Sequence, residues 1–172
     1  MLKELEAYIR DVPDFPKPGI IFKDITPLLN DKQAFKRVID LLAERYKDKG
    51  IQKVVGVDAR GFIFASALAY AIGAGMVPVR KKNKLPYETL KETYELEYGT
   101  DTVEIHKDAL EKGERTVVVD DLLATGGTLA ATCRLVDKLG ADIVEVVTII
   151  ELSFLSGKDK LNKYNYYTMI SY

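Results

Sequence analysis

The segment VVVDDLLATGGTL occupies residues 117–129 and joins a strand pattern directly to a helix start. Its run of valines is typical of a buried strand, and the run ends in two carboxylates, Asp120 and Asp121. A helix pattern over residues 128–139 follows the Gly-Gly pair, and another apolar strand pattern covers residues 143–150. The segment therefore predicts one βαβ unit, with its first strand over residues 116–120.

An equivalent pattern occurs earlier in the chain. KVVGV at residues 53–57 predicts a strand, DARG a turn, residues 62–72 a helix and MVPV at residues 76–79 a second strand. Strands that are apolar on both sides need cover on both faces of a parallel sheet, and such crossovers are right-handed. The predicted fold is therefore α/β: a doubly wound, mainly parallel sheet with helices on both faces.

The remaining segments are expected to extend this fold. Residues 1–30 predict a short helix and a proline-rich arm, and residues 31–49 predict a helix capped by Asn30 or Asp31. Residues 81–106 lie between the two units and predict an inserted hairpin. The aromatic C-terminus is expected to pack on the fold. The sequence shows no long linker, so residues 1–172 are predicted to form a single domain.

Composition narrows the function classes. The chain has 25 Lys and Arg and 26 Asp and Glu, a net charge of −1, which favours neither a polybasic nucleic-acid binder nor an acidic tail protein. A single cysteine, Cys133, and a single histidine, His106, leave neither an internal disulfide nor a zinc-type cluster. Cys133 is expected to be packed, and His106 to lie on the surface of the hairpin. The N-terminus lacks an export signal, so a cytoplasmic protein is expected.

One uncharged stretch, residues 62–79, is close to the length of a membrane span. A Gly-Ala-Gly break and Pro78 interrupt it, so it predicts two buried elements and no membrane contact.

The loop at residues 124–128 has the composition of a phosphate site. Its glycines allow backbone N–H groups to approach an anion, and the helix start adds partial positive charge. The carboxylates of Asp120 and Asp121 suit sugar hydroxyls or an oxygen-ligated Mg²⁺. A Gly-Gly turn alone favours a structural role, but its combination with the carboxylates favours a ribose 5-phosphate site. The GxxxxGK[ST] and GxGxxG patterns are missing, which disfavours ATP or GTP hydrolysis and NAD binding.

The hydrophobic run followed by DDLLATGGT resembles the signature of the type I phosphoribosyltransferases, which use 5-phosphoribosyl 1-diphosphate. Four further segments are similar to the adenine-using branch of that family, in its order and spacing: PDFPKPGIIFKDITPLL at residues 13–29, DARGF at 58–62, RKKNKLP at 80–86 and YELEYG at 94–99. The resemblance covers most of the chain from residue 13 to about residue 152. Asn83 and Ala65 depart from it, because they stand where glycine is common.

The resemblance implies a reaction. Adenine N9 would displace diphosphate from C1 of the ribose, which forms AMP and diphosphate in purine salvage. Mg²⁺ would be carried by the substrate without direct protein ligands, and the protein would be a homodimer.

The resemblance also implies the site residues. Those expected to bind the ribose and the 5-phosphate are Asp120, Asp121, Ala124, Thr125, Gly126, Gly127 and Thr128. Those expected to bind diphosphate are Arg60, Arg80, Lys81 and Lys84. Those expected to bind adenine are Ile21, Phe22, Lys23 and Leu152, with Phe22 stacked on the base. Glu97 is the implied catalytic residue, since a carboxylate near the purine can relay a proton. Tyr98 is its neighbour on the hairpin at residues 81–106, which the resemblance implies is a flexible lid.

Two other functions stay open on the sequence. A related enzyme would use hypoxanthine, guanine or xanthine, although the PGIIFKD arm and the YELEYG hairpin resemble the adenine branch. A non-catalytic sensor would keep the phosphoribosyl diphosphate site without transfer, although the sequence offers no basic DNA-reading helix.

Overall fold

The chain forms two compact units, the first ending at Arg45 and the second beginning at Tyr46. The computed structural model describes residues 2–96 and 99–172, with only the backbone described at residues 2 and 3. The expected single domain over residues 1–172 stays a prediction.

The first unit contains the expected short helix and arm. The arm is an antiparallel pair of strands, in which Arg10 lies opposite Asp24 and forms an ion pair with it at 2.6 Å. The elements of this unit are α1 (Leu2–Glu6), β1 (Arg10–Pro13), β2 (Ile21–Asp24), α2 (Thr26–Asn30) and α3 (Lys32–Tyr46), whose last residue belongs to the second unit.

Asp31 caps α3, as one of the two expected caps. Its Oδ1 atom accepts hydrogen bonds from the backbone N–H groups of Gln33 and Ala34, both at 2.9 Å. The sequence analysis does not predict α2, because five residues with Pro27 in the first turn are too short to show a helical period.

The second unit is built on a seven-stranded sheet in the order β5-β6-β4-β3-β7-β8-β9. Strands β4, β3, β7, β8 and β9 run parallel, whereas β5 and β6 form an antiparallel hairpin against β4. The strands are β3 (Lys53–Val57), β4 (Gly75–Lys81), β5 (Thr89–Glu95), β6 (Thr100–His106), β7 (Arg115–Leu123), β8 (Asp142–Glu151) and β9 (Tyr166–Ser171). The helices are α4 (Gly61–Ile72) and α5 (Gly127–Leu139), with 3₁₀ turns at Ser153–Leu155 and Gly157–Leu161.

The two long helices of this unit cover opposite faces of the sheet. Gly56 faces α4 closely, since a Cβ atom there would lie 2.7 Å from the Cβ of Ala65. Its neighbours Val55 and Val57 belong instead to the core that contains Leu129 of α5. Because successive strand residues point to opposite faces, α4 and α5 lie on different sides. The predicted doubly wound, mainly parallel α/β fold is confirmed.

The structure refines three expectations, which concern the end of β7, the hairpin and the C-terminus. Strand β7 does not end at Asp120 but continues to Leu123, because Leu122 and Leu123 keep pairing with the long β8. The expected hairpin forms as β5 and β6, and it extends the sheet because β6 pairs with β4. The aromatic C-terminus packs as expected, because β9 pairs with β8.

The uncharged stretch at residues 62–79 forms α4 and part of β4, as predicted. Across residues 2–96 and 99–172, every helix is too short or too polar to cross a membrane.

The burial of the single cysteine and of the single histidine can be compared with expectation. Cys133 is fully buried on α5, as expected, and burial raises the pKa of its thiol to about 12. His106, the last residue of β6, is only partly exposed, and the ring of Tyr87 packs edge-on against it at 6.1 Å.

Candidate active site

The candidate site lies at the edge of the sheet where the parallel strands end. Strands β3, β4, β7 and β8 run in one direction, so the residues that follow them meet at this edge. Asp58 follows β3, and Leu152 follows β8. The N–H of Leu152 donates to the carbonyl of Leu123 at 2.9 Å, which holds the ends of β7 and β8 together. Open α/β sheets bind their ligands at such an edge.

The loop between β7 and α5 encloses a cavity of about 90 Å³. The helix begins at Gly127, and no side chain among the described residues caps its first turn. The N-terminal N–H groups and the helix dipole therefore favour an anion at this position. The cavity is lined by Asp120, Leu122, Leu123, Ala124, Thr125, Gly126, Gly127, Thr128 and Leu129. The seven residues expected to hold the ribose and its phosphate lie near the end of β7, in this loop and in the first turn of α5.

The shape of this loop depends on a glycine that the sequence analysis does not identify. Gly126 has a left-handed backbone, with φ of 78°, and a Cβ atom there would overlap the carbonyl oxygen of Gly157. A Cβ atom on Gly157 would in turn overlap the carbonyl oxygen of Ala124. The two backbones therefore touch without side chains between them. The Ser-Gly pair at residues 156–157 signals a turn, but not what the turn contacts.

Two adjacent carboxylates precede the loop. The backbone N–H of Asp121 donates to Oδ1 of Asp120 at 2.8 Å, and Asp121 is only 5% exposed. Burial and the neighbouring charge of Asp121 raise the pKa of Asp120 well above its usual value. Burial also raises the pKa of Asp121, although Arg60 opposes this shift. Two buried carboxyl groups are thus adjacent in the chain, and Asp120 lines the cavity.

Arg60 compensates part of this charge. Its guanidinium lies 2.7 Å from Oδ2 of Asp121 as an ion pair, but without the geometry of a hydrogen bond. Oδ2 of Asp121 is buried and has no hydrogen-bond donor among the described residues. An acceptor in this state is suited to a ligand hydroxyl or a metal ion.

The expected diphosphate cations gather around a carboxylate that the sequence analysis left without a role. Oδ2 of Asp58 lies 3.3 Å from Nε of Arg80 and 3.7 Å from Nζ of Lys84. It also accepts the backbone N–H of Lys81 at 3.4 Å. The DARG turn contains Asp58, but only the fold shows that β4 ends beside it. Asp58 thus contacts both the end of β4 and the loop that follows it.

Lys81 turns toward the hairpin instead. Its ammonium contacts the carboxylate of Asp101 and donates to the Tyr94 hydroxyl at 2.7 Å. Tyr94 also donates to Asp101 at 3.0 Å and accepts from the hydroxyl of Thr128 at 2.9 Å. Burial lowers the pKa of Lys81, but these contacts outweigh it and raise the pKa overall. Neither Tyr94 nor Asp101 is a predicted site residue, because nothing in their local sequence shows that they face Lys81 and Thr128.

The residues expected to bind adenine are distributed over both units. Ile21, Phe22 and Lys23 lie on β2 of the first unit, whereas Leu152 lies in the second. The ring of Phe22 packs edge-on against Phe15 at 5.2 Å, and Lys23 forms an ion pair with Asp11 at 2.6 Å. The expected catalytic residue Glu97 and its neighbour Tyr98 lie outside the described residues.

Comparisons with known proteins identify the family of the chain. Residues 24–171 match the family model of the phosphoribosyl transferase domain. The adenine phosphoribosyltransferase of Geotalea uraniireducens is 62% identical over 160 residues, which cover 93% of this chain and 94% of that protein. A crystal structure of adenine phosphoribosyltransferase from Thermoanaerobacter pseudethanolicus is 50% identical, with a TM-score of 0.96 and full coverage of both chains.

A third relative was crystallised with ligands. The adenine phosphoribosyltransferase of Saccharomyces cerevisiae, in complex with adenine and D-2,5-dideoxy-2,5-imino-altritol 1,6-bisphosphate, is 42% identical with a TM-score of 0.93. The match covers 98% of this chain and 97% of that one. The chain therefore belongs to the phosphoribosyltransferase family, and within it to the adenine phosphoribosyltransferases.

Proposed function

We propose that the protein transfers the 5-phosphoribosyl group from 5-phosphoribosyl 1-diphosphate, hereafter the sugar diphosphate, to N9 of adenine, which forms AMP and diphosphate in purine salvage. One observation carries this proposal: the start of α5 has no side-chain cap, and it follows two buried carboxyl groups, Asp120 and Asp121, closely in the chain. One feature suits a phosphate and the other suits vicinal hydroxyls, and a ribose 5-phosphate carries both groups. The family membership supports the same substrate.

The loop at residues 124–128 would hold the 5-phosphate through backbone N–H groups and threonine hydroxyls. Asp120 and Asp121 would accept hydrogen bonds from the ribose hydroxyls. The chain itself holds these side chains in place. The backbone N–H of Asp121 donates to the Asp120 carboxylate at 2.8 Å, and the Asp121 carboxylate forms the ion pair with Arg60. Such fixed groups position C1 of the ribose without reorganisation during the reaction.

The leaving diphosphate would bind the cations at the ends of β3 and β4. Arg60, Arg80, Lys81 and Lys84 are the proposed ligands. All four already contact carboxylates of the protein, namely Asp121 for Arg60, Asp101 for Lys81, and Asp58 for Arg80 and Lys84. These contacts keep the cations in one region before substrate arrives. Charge on the departing diphosphate is then stabilised by groups that are already in position.

The proposed cofactor is Mg²⁺. The buried Oδ2 atom of Asp121 is an oxygen donor of the kind this ion prefers, so the donor chemistry fits. Residues 2–96 and 99–172 contain no cluster of three or more His, Cys, Asp or Glu that could hold a metal ion. We therefore assign most of its ligands to the substrate. When bound, the ion neutralises charge on the diphosphate.

The base would bind to the arm at Ile21, Phe22 and Lys23. Lys23 is engaged with Asp11, so its side chain is held back and the backbone of the arm is the group we assign to reading the edge of adenine. Phe22 would stack on the ring. Leu152 is partly exposed at the end of β8, and we assign it an apolar contact with the base. The adenine in the yeast relative supports this choice of base.

We assign proton transfer at the purine to Glu97 and closure of the lid to Tyr98. A carboxylate near adenine accepts or relays a proton as N9 becomes the nucleophile. Lid closure excludes water, which otherwise hydrolyses the sugar diphosphate.

We also propose that the protein is a homodimer. The outer side of α4 exposes two large apolar side chains at helical spacing, Ile63 at 40% and Tyr70 at 91%. A self-complementary contact would bury them. The single thiol, Cys133, is buried and forms no disulfide, which fits a protein of the cytoplasm.

The test is nucleotide synthesis by the purified protein. It is mixed with Mg²⁺ and the sugar diphosphate, and adenine, hypoxanthine, guanine and xanthine are offered separately. AMP from adenine alone supports the proposal. A nucleotide formed from an oxopurine would show that adenine is not the base, or not the only base, that the protein uses. Binding of the sugar diphosphate without transfer to any base would indicate a sensor.

A further inference from the structure

The hairpin contains a buried carboxylate to which the proposed reaction gives no role. Glu104 lies in the middle of β6 and is 2% exposed. In the register of the sheet it lies directly opposite Arg80 on β4 and opposite Lys91 on β5. A buried carboxylate costs free energy unless it is paired and hydrogen-bonded, so its contacts indicate what it is for.

Glu104 makes one hydrogen bond and one ion pair. Its Oε2 atom accepts the backbone N–H of Asn83 at 3.2 Å. Its Oε1 atom lies 3.0 Å from Nζ of Lys91, without the geometry of a hydrogen bond. Lys91 is half exposed, so water screens this ion pair and its contribution is small. The bond to Asn83 is therefore the contact that decides its role.

Asn83 is the turning point of the loop that connects β4 to the hairpin. Its backbone is left-handed, with φ of 64°, a conformation that Asn adopts more readily than most residues. On either side of it, the N–H of Lys82 donates to the carbonyl of Thr102 at 3.2 Å, and Arg80 donates to the carbonyl of Lys84 at 3.2 Å. Glu104 supplies the bond at the centre of this turn.

We propose that Glu104 is a positioning residue for the diphosphate subsite. By holding the N–H of Asn83, it fixes the loop that carries Lys84, next to Arg80 on β4, in a shape suited to a diphosphate. The inference rests on the proposed function, because it takes these two cations as diphosphate ligands. Fixed cations bind an anion more tightly than mobile ones, since no ordering is needed on binding. Glu104 itself does not touch the substrate.

The test compares three variants with the wild type. Calorimetry gives the Kd of diphosphate with Mg²⁺, and steady-state assays give kcat and the KM for each substrate. Glu104→Ala is expected to raise both the Kd of diphosphate and the KM for the sugar diphosphate about tenfold, as for loss of a hydrogen bond to a charged group. The KM for adenine is expected to stay within about twofold, because the arm is unaffected.

Two matched variants separate positioning from charge. Glu104→Gln keeps an acceptor for the Asn83 N–H and is expected to stay within about threefold of wild type. Lys91→Ala removes only the screened ion pair, and a change of less than about twofold is expected. Should Glu104→Ala not fold, Glu104→Leu takes its place, because it keeps the volume and removes the acceptor.

Three results would overturn the inference. The first is a lower Tm for Glu104→Ala with unchanged diphosphate affinity, which would make the residue purely structural. The second is an equal loss in Glu104→Gln, and the third an equal loss in Lys91→Ala, since both would assign the effect to charge. Wild-type protein that binds no diphosphate would instead refute the proposed function.

Discussion

The hydroxyl of Thr128 donates a hydrogen bond to the hydroxyl of Tyr94 at 2.9 Å. Thr128 lies in the first turn of α5, and Tyr94 lies on β5 of the hairpin. The ring of Tyr94 also packs against Gly127, where a Cβ atom would come within 2.9 Å of it. The end of the hairpin next to its turn is thus attached directly to the loop that we assign to the 5-phosphate. Ligand binding at that loop and the position of the hairpin are therefore coupled.

Replacing Tyr94 by Phe tests this attachment. The ring would remain against Gly127, whereas the hydroxyl bonds to Thr128, Lys81 and Asp101 would be lost. We expect the free energy of unfolding to fall by about 1–2 kcal/mol, and amide exchange in the hairpin to accelerate. Urea denaturation and hydrogen exchange measure the two effects. Tyr87→Phe serves as the control, because Tyr87 is 63% exposed; equal values for both variants would refute the attachment.

The contact between Asp101 and Lys81 predicts a variant that binds diphosphate more tightly. The Asp101 carboxylate neutralises an ammonium that we assign to diphosphate. Asp101→Asn removes this competing charge, so the Kd of diphosphate is expected to fall about threefold. Calorimetry measures this change.

The control for Asp101 is Asp108→Asn, which changes the net charge equally beyond the far end of β6. An equal gain in Asp108→Asn would reduce the effect to long-range electrostatics. Weaker binding in Asp101→Asn would show that the carboxylate positions Lys81 and does not compete for it.

Gly126→Ala is expected to abolish phosphate binding at the loop. A methyl group at this position would overlap the carbonyl oxygen of Gly157 and strain a left-handed backbone. Transfer activity, measured as kcat/KM for the sugar diphosphate, is expected to fall at least about a hundredfold, since displacement of the loop removes several donors together.

Gly113→Ala is the matched control for Gly126. Gly113 has nearly the same backbone conformation, with φ of 81°, but nothing within 4 Å of an added Cβ atom. It shares the backbone strain without the clash. If both variants lost activity equally, strain and not the contact with Gly157 would be responsible.

The sequence and the fold contribute different parts of this site. The DDLLATGGT segment identifies the phosphate loop because its glycines, hydroxyls and carboxylates are adjacent in the chain. The local periodicity of residues 53–79 and 116–150 also predicts both βαβ units. The partners Gly157, Asp58 and Asp101 could not be found in this way, because each acts on residues that are distant in sequence. The predicted end of β7 is too early for a related reason, since the length of a strand depends on its neighbour β8.

Replacing one carboxylate of the buried pair is predicted to stabilise the protein at neutral pH but not in acid. The pKa of Asp120 is raised in the folded state, so its favourable contribution is complete below the usual value of 3.8 and is lost as the pH rises through the raised pKa. Asp120→Asn is therefore expected to raise the Tm at pH 7 while impairing ribose binding. The gain should disappear below about pH 3.8. A gain that persists in acid would exclude charge burial as its cause, with Asp108→Asn again the control.

The roles of Glu97 and Asp121 predict opposite kinetic signatures. Asp121→Ala is expected to raise the KM for the sugar diphosphate and lower kcat/KM, because it removes an acceptor for the ribose. Glu97→Gln is expected to lower kcat at least about a hundredfold with less than about a threefold change in KM, as for loss of proton transfer. An equal loss of substrate binding in Glu97→Gln would contradict its assignment to the chemical step.

A crystal structure of the protein with AMP tests the central assignment most directly. We predict that the phosphate lies at the start of α5, within hydrogen-bond distance of backbone N–H groups of residues 125–128. The ribose hydroxyls are predicted to donate to Asp120 and Asp121. A phosphate bound at Arg80 and Lys84, with the loop at residues 124–128 vacant, would contradict the account.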